Sequence, residues 1–197
     1  SYVLALLFCV AVLNMLDRQI LGMLVVSIKQ EFGVSDTAIG FLTGPSFALF
    51  YALAGIPIAR WADRGVRRSI IAGGLAVWSA ATALTGAGRG YFEVLLARLG
   101  VGAGESAAGP PAHSLLSVYF PLVQGGRALA IYSAGGSLGV MLGMWIGGWL
   151  GDAYGWRAAF VIVGLPGLAL ALLVRWTVRE PVRGRFDAAA PLPQEPL

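Results

Sequence analysis

The sequence predicts an all-α, polytopic membrane protein. Of its 197 residues, 57% are hydrophobic and only 12% are charged, and the mean hydropathy is +0.76. A soluble domain needs a surface on which about 25–35% of the residues are charged, so this composition excludes one. Six apolar segments with short connections are each long enough to cross a bilayer, which takes about 20 helical residues.

The six predicted spanning helices form one bundle over residues 1–179. Residues 180–197 are rich in proline and charge without an apolar period, which is typical of a linker or tail. The predicted helices are Tyr2–Val26, Thr37–Ala59, Ser69–Gly88, Tyr91–Tyr119, Arg127–Leu150 and Arg157–Val178.

The cations indicate the sides of the membrane. Lys29, Arg89 and Arg157 fall on one side, and nine arginines share the other. The positive-inside rule therefore places both termini, and the 180–197 tail, in the cytoplasm, with the bundle in a cell inner or plasma membrane. Cations scattered between apolar segments do not indicate a nucleic-acid partner. The nine are Arg60, Arg64, Arg67, Arg68, Arg127, Arg175, Arg179, Arg183 and Arg185.

The first helix is interrupted by Asn14, Asp17 and Arg18 in an otherwise apolar span. A charge at the centre of a membrane helix costs about 2.5–3.5 kcal/mol even on the lenient insertion scale, so such residues face partners or water. An alternative is that Asp17 and Arg18 lie in the headgroup region, with the helix ends misplaced.

The segment after the second helix, residues 59–69, contains Asp63, Arg64, Arg67 and Arg68. A carboxylate and arginines at a tight turn are suited to bridging two helix ends, and we expect a cytoplasmic gate here. The alternative is a loop that only satisfies the positive-inside rule.

The fourth helix carries Arg98 and Glu105, which share one helical face because they are seven residues apart. Counting inward from the predicted helix ends places Arg98 at the depth of Asp17. We therefore expect an Asp17–Arg98 ion pair, with Glu105 about two turns deeper. Pro110 and Pro111 should kink this helix.

His113 follows these prolines and is the only histidine. It is either a packed side chain or a proton relay. One histidine and one cysteine, Cys9, leave no predicted metal site, disulfide or cofactor.

The fifth helix is rich in glycine. Gly135, Gly139 and Gly143 recur every four residues, which predicts a stripe for close helix contact. The run around Ser137 also has the G-x-S-x-G spacing of a hydrolase nucleophile elbow. An intramembrane serine hydrolase using Ser137 with His113 is therefore an alternative, although an elbow requires a strand-to-helix turn.

Sliding the chain by 89 residues aligns Asp63 with Asp152 and Arg68 with Arg157. Helices one to three thus resemble helices four to six. Because each repeat has an odd number of helices, the two copies are expected to be inverted, with sites at their interface.

Several motifs together resemble the major facilitator superfamily. Residues 59–68 are similar to its G-x-x-x-D-R-x-G-R-R signature, with Ala59 at the first glycine and Gly65 one place early. The segment 98–104 resembles its R-x-x-x-G-x-G pattern, and 155–160, GWRAAF, resembles its entry into helix six. The segment 143–148 is similar to its G-P-x-x-G-G motif, but Met144 replaces the proline, which disfavours an antiporter.

Within that superfamily, NMLDRQILG in helix one together with Glu105 resembles the spinster branch, whose members export lysolipids such as sphingosine-1-phosphate. The resemblance implies the N-terminal six-helix half of a twelve-helix secondary transporter. The second half would lie in the same polypeptide or in a separate chain.

We expect proton-coupled export of a lysolipid-like amphiphile by alternating access, with membrane lipids as surroundings. Asp17 and Glu105 are the expected proton-coupling acids, and an alkyl tail would lie against Phe47, Phe50, Tyr51 and Trp145 unless these aromatics only pack between helices. The alternatives are a proton-coupled symporter of a small organic anion and a non-transporting membrane subunit. The expected binding and ion-pairing set is Arg18, Arg98, Asn14, Tyr51 and His113.

Overall fold

The structure, a computed structural model, describes residues 2–181 except the side chains of Asp63 and Leu122. Over these residues the chain consists of helices and the turns that join them, which confirms the all-α prediction. The seven helices are α1 (Tyr2–Phe32), α2 (Asp36–Thr43), α3 (Pro45–Arg64), α4 (Arg67–Ala87), α5 (Tyr91–Glu105), α6 (Gly109–Tyr119) and α7 (Leu122–Thr177).

Helix α7 contains two of the predicted spans and is interrupted at Gly155, whose φ of 77° and ψ of 164° are not helical. We refer to residues 122–154 as its first segment and to 156–177 as its second segment. Within residues 2–181, four helical stretches are long and apolar enough to cross a bilayer, namely Tyr2–Phe32, Asp36–Ala62, Arg67–Ala87 and Val123–Thr177. The last has 55 residues, more than twice the roughly 20 needed for one crossing.

The predicted fourth helix is broken, and the break does not start at the prolines. Helix α5 ends at Glu105. The turn that follows is held by hydrogen bonds between residues three apart, such as that from the Ala108 N–H to the Glu105 carbonyl, 3.0 Å. Pro110 and Pro111 lie in the first turn of α6, where a missing N–H costs nothing. Glu105 therefore sits at a helix end rather than inside a continuous helix.

Glycines set the closest helix contacts. A Cβ on Gly143 would lie 2.9 Å from the Leu16 carbonyl oxygen, and Gly139 faces the Val12 carbonyl in the same way. The stripe on the first segment of α7 thus lies against α1, which brings the two backbones together. These contacts set the rotation of α1 about its own axis, and therefore the direction in which its polar side chains point.

Helix α4 is the central support of the bundle, because it packs on both α5 and the second segment of α7. Trp78, Leu75 and Ile71 on α4 are fully buried, and a Cβ on Gly104 would lie 2.6 Å from the Trp78 backbone nitrogen. Side chains of α1 and α5 that point inward therefore meet α4.

Candidate functional site

An ion pair joins α1 to α5 inside the bundle. Arg18 donates from Nε to Oε2 of Glu105 at 2.6 Å. The Glu105 side chain is 0% exposed, whereas that of Arg18 is 30% exposed. The carboxylate is therefore enclosed in protein. The guanidinium extends from it to the exposed surface of the bundle beside Arg18, which we call the open face.

This pairing corrects the predicted Asp17–Arg98 pair. Among the described residues, no carboxylate lies within 4.0 Å of the Arg98 guanidinium. The physical reason is the length of α1, which ends at Phe32 instead of Val26. Arg18 lies fourteen residues before Phe32, and Glu105 fourteen residues after Tyr91, so these two residues share a depth.

Asp17 points away from Arg18, towards the support helix. It is 2% exposed, and its Oδ2 accepts a hydrogen bond from the Thr82 hydroxyl at 3.2 Å. The indole of Trp78 lies beside the same carboxyl group. The Oδ1 atom of Asp17 is buried without a hydrogen-bond partner among the described residues.

Arg98 is buried and lacks hydrogen bonds at Nε and Nη1 within the described part of the chain. It interacts electrostatically with Glu105 and Asp17, and its guanidinium carbon lies 5.5 Å from the ring centroid of Phe47. Arg18 approaches the same ring at 4.7 Å and that of Tyr51 at 5.1 Å. The two cations thus share one aromatic side chain.

The two remaining predicted binding residues lie at different places. Asn14 is buried beside Glu105, one helical turn before Arg18. His113 on α6 is exposed, and its ring contacts the ring of Tyr132 edge-on at 5.3 Å. The structure therefore brings Asn14, but not His113, to the ion pair.

A second charged cluster lies where α4 begins. Arg67, 2% exposed, donates from Nε to Glu180 at 3.0 Å and from Nη1 to the Ser114 carbonyl at 2.9 Å. The Arg68 backbone N–H donates to the other Glu180 oxygen, also at 3.0 Å. The cluster ties the start of α4 to α6 and to the chain that follows α7.

The other two residues of the predicted gate are Asp63 and Arg64. Arg64, the last residue of α3, is exposed, and the Asp63 side chain lies outside the described part of the structure. Glu180 belongs to the predicted tail, of which residues 182–197 are also outside the described range. Its bonds to the start of α4 are a contact that the sequence analysis missed.

The nucleophile-elbow alternative is wrong. Ser137 lies in the middle of the first segment of α7, which is continuous helix on both sides, not a strand-to-helix turn.

Sequence reasoning also missed Thr82 and Glu180. Thr82 belongs to a polar series on α4 with Ser79 and Thr85, and this spacing of three residues was a usable signal. For Glu180 the sequence offered no comparable signal, because it is a single acid after an apolar helix.

Helices that cross a membrane and hold opposite charges in their interior are typical of secondary transporters. The chain belongs to the Major Facilitator Superfamily, a family of transporters rather than enzymes, because residues 7–196 match that family.

Relatives of known description agree with this assignment. The chain is 37% identical over 165 residues, 84% of its length, to an MFS-type efflux pump of Mycolicibacterium smegmatis, of which the match covers 38%. It is 31% identical over 167 residues, 85% of its length, to a probable L-galactonate transporter of Escherichia coli, of which the match covers 37%.

Among solved structures, a bacterial homologue of the human lysosomal transporter spinster, in an inward-facing and unoccupied conformation, superposes with a TM-score of 0.88 and 40% identity. The match covers 93% of this chain and 44% of the homologue. The chain therefore spans less than half the length of the relatives it matches.

Proposed function

We propose that this chain forms one half of a proton-coupled transporter that exports a lysolipid-like amphiphile by alternating access. The observation that carries the proposal is the enclosed pair of Glu105 and Arg18 beside the buried Asp17. Charged groups at membrane depth are costly, so a cluster of them that is only partly hydrogen bonded indicates function rather than stability.

Protons would act on two carboxylates that each have a free oxygen. Oδ1 of Asp17 and Oε1 of Glu105 are buried and lack hydrogen-bond partners among the described residues. A proton on Glu105 removes the charge that holds Arg18, and the guanidinium can then turn towards the open face. Loading and release of a proton are thereby linked to the position of a cation.

Arg18 is suited to an anionic group that has an apolar neighbour. Its guanidinium is partly exposed and lies against the rings of Phe47 and Tyr51, which stack on each other at 5.7 Å. A cation flanked by aromatic rings offers a charged contact and an apolar surface together. An anionic headgroup with an alkyl chain matches both.

Other large apolar side chains of the bundle are exposed. Trp145 is 72% exposed and Phe50 is 36% exposed, so neither is packed inside the described bundle. A tail, membrane lipid or a second six-helix half can cover them. We propose that such a half, in the same polypeptide or in a separate chain, completes a twelve-helix transporter whose N-terminal half has cytoplasmic termini.

The cluster of Arg67, Arg68 and Glu180 would act at the cytoplasmic side. It joins the start of α4 to the end of α7, so α4 and the second segment of α7 would move as one body when the halves rock. Asp63 and Arg64 are assigned to the same gate, and His113 to the edge of the binding face.

A second candidate is proton-coupled symport of a small organic anion. It is favoured by the two cations that share Phe47, Arg18 and Arg98, and by the similarity to the L-galactonate transporter. In this case the carboxylate of the substrate would meet Arg18 directly.

The test is flux in liposomes that contain the full-length protein. A pH gradient should drive movement of fluorescent lysophosphatidylglycerol, and Glu105→Gln or Asp17→Asn should abolish the dependence on the gradient. Glu93→Gln, an exposed acid at the start of α5, is the matched control and should keep it. If both buried-acid variants keep proton-driven flux, the mechanism is wrong, and if galactonate moves while the lysolipid does not, the second candidate is correct.

A further inference from the structure

A cavity of about 370 Å³ lies between α1 and the first segment of α7, and Asn14 stands between it and the ion pair. Its polar lining consists of Asn14, Tyr132, Ser133 and Ser137, and Met15 and Val140 contribute apolar surface. Ligand pockets span about 300–1,000 Å³, so this one is of the size that takes a headgroup rather than a long alkyl chain.

The floor of the cavity is Asn14, which is 8% exposed. Its amide nitrogen is buried and has no hydrogen-bond partner among the described residues. A buried amide without a partner costs free energy, about 1–3 kcal/mol, unless something else accepts its hydrogen bond. The acceptors open to it are the Glu105 carboxylate, which the Asn14 side chain faces, and a ligand oxygen in the cavity.

The opposite wall carries free hydroxyl groups. Ser133 and Ser137 are exposed and stand one turn apart on the first segment of α7. Serines in helices often donate to a carbonyl of the preceding turn. No such bond is formed by either serine in the described structure, nor any hydrogen bond by the Tyr132 hydroxyl.

The lining of the cavity is neutral and mostly apolar, with polar groups from four residues. None of its described lining residues is charged. The nearest cation on α1, Arg18, lies one turn from Asn14, about 6 Å along the helix axis. A ligand that fills the cavity and also meets Arg18 has a hydroxyl-bearing part next to an anionic group.

We propose that this cavity is the subsite for the hydroxyl-bearing part of the substrate, such as a glycerol or polyol unit. The anionic group of the substrate then lies beside Arg18. This inference rests on the proposed transport function, but it is independent of whether the substrate carries an alkyl chain. It predicts selection between substrates that differ only in their hydroxyl groups.

The experiment measures binding to the purified full-length protein in detergent with two matched pairs of probes. The first pair is 1-palmitoyl lysophosphatidylglycerol and hexadecyl methyl phosphate, which share one negative charge and a sixteen-carbon chain. The second pair is D-gluconate and hexanoate. The hydroxylated member of a pair that binds should bind about tenfold more tightly, as expected for one or two neutral hydrogen bonds.

Removing the wall hydroxyls should remove the preference. The double variant Tyr132→Phe/Ser137→Ala keeps both shapes, and it should lower the affinity for the hydroxylated probe about tenfold while leaving the other probe unchanged. Tyr154→Phe is the matched control, because Tyr154 lies at the far end of the same segment and contacts Trp149 only at its ring. Unchanged melting temperatures show that the variants fold.

Each outcome distinguishes the two proposals. Equal binding within the lipid pair by the wild type overturns the subsite and leaves the amphiphile proposal standing. Preference for gluconate over hexanoate without any lipid binding supports the subsite and overturns the amphiphile. A preference that survives in the double variant, or no binding of any probe, overturns the subsite.

Discussion

Replacing Arg18 by methionine should destabilise the protein more than replacing Glu105 by glutamine, although both changes break the same ion pair. Removing one partner of a buried pair costs about 3–5 kcal/mol when a charge is left uncompensated. Arg18→Met leaves the Glu105 carboxylate close to that state, because its side chain is 0% exposed and Arg98, the other cation that acts on it, forms no ion pair with it in the described structure.

The opposite change leaves a cation with other contacts. Arg18 is 30% exposed and lies against Phe47 and Tyr51, so without Glu105 it still reaches solvent and two rings. We expect Glu105→Gln to cost about 1.5–3 kcal/mol, close to one charge-assisted hydrogen bond. The difference between the two variants is then about 2 kcal/mol, or roughly 4–8 °C in melting temperature for a unit of this size.

The assay is thermal unfolding of the purified protein in detergent at pH 8 and pH 5. The defect of Arg18→Met should shrink at pH 5, because a protonated carboxyl group costs less to bury than a carboxylate. The double variant Arg18→Met/Glu105→Gln should be more stable than Arg18→Met alone at pH 8. Equal melting temperatures for the two single variants at both pH values would refute the assignment of Glu105 as an enclosed, ionised partner.

Three further outcomes are expected. Thr82→Val keeps the shape of the side chain but removes the 3.2 Å hydrogen bond to Asp17, so proton-driven flux in liposomes should fall several-fold. Thr82→Ser keeps the hydroxyl group and should restore the flux. Full flux in the valine variant would contradict a role for this hydrogen bond. Glu180→Gln weakens two hydrogen bonds to the start of α4, by about 1.5–3 kcal/mol in total. Amide hydrogen exchange at the end of α7 should therefore become faster. Unchanged protection of these amides from exchange would argue against the cluster. Gly155→Ala should cost about 1–3 kcal/mol, because a φ of 77° with a ψ of 164° is a conformation that almost only glycine adopts. Gly148→Ala in the same helix, which has open space and ordinary φ, should be neutral or stabilising in the same melting assay.

Much of the fold follows from local properties of the chain. The apolarity of the segments predicts a helical chain, although not the break after Glu105, and the glycine stripe of Gly135, Gly139 and Gly143 predicts the face of α7 that meets α1. Charges inside apolar segments likewise predict that Arg18 and Glu105 belong to a shared interior. Such inferences need only composition and helical periodicity.

Partners that are far apart in sequence were not predictable in this way. Thr82 meets Asp17 across 65 residues, and Glu180 meets Arg67 across 113. Thr82 lies in an apolar helix and Glu180 follows one, and in the sequence each has many possible neighbours. Only the packing of α4 on the other helices selects among them.

The sequence by itself determined that this chain is a bundle of membrane helices with acids and arginines in its interior. Tertiary structure decided which acid holds which arginine. The reason is geometric, since ending α1 at Phe32 rather than Val26 shifts its residues by six positions, about 9 Å, and replaces Arg98 with Glu105 at the depth of Arg18. Hydrophobicity does not fix a helix end that closely. Residues 27–32 are mostly polar, and they continue α1 through contacts with its neighbours, such as the hydrogen bonds of Glu31 with Arg157 and Trp156.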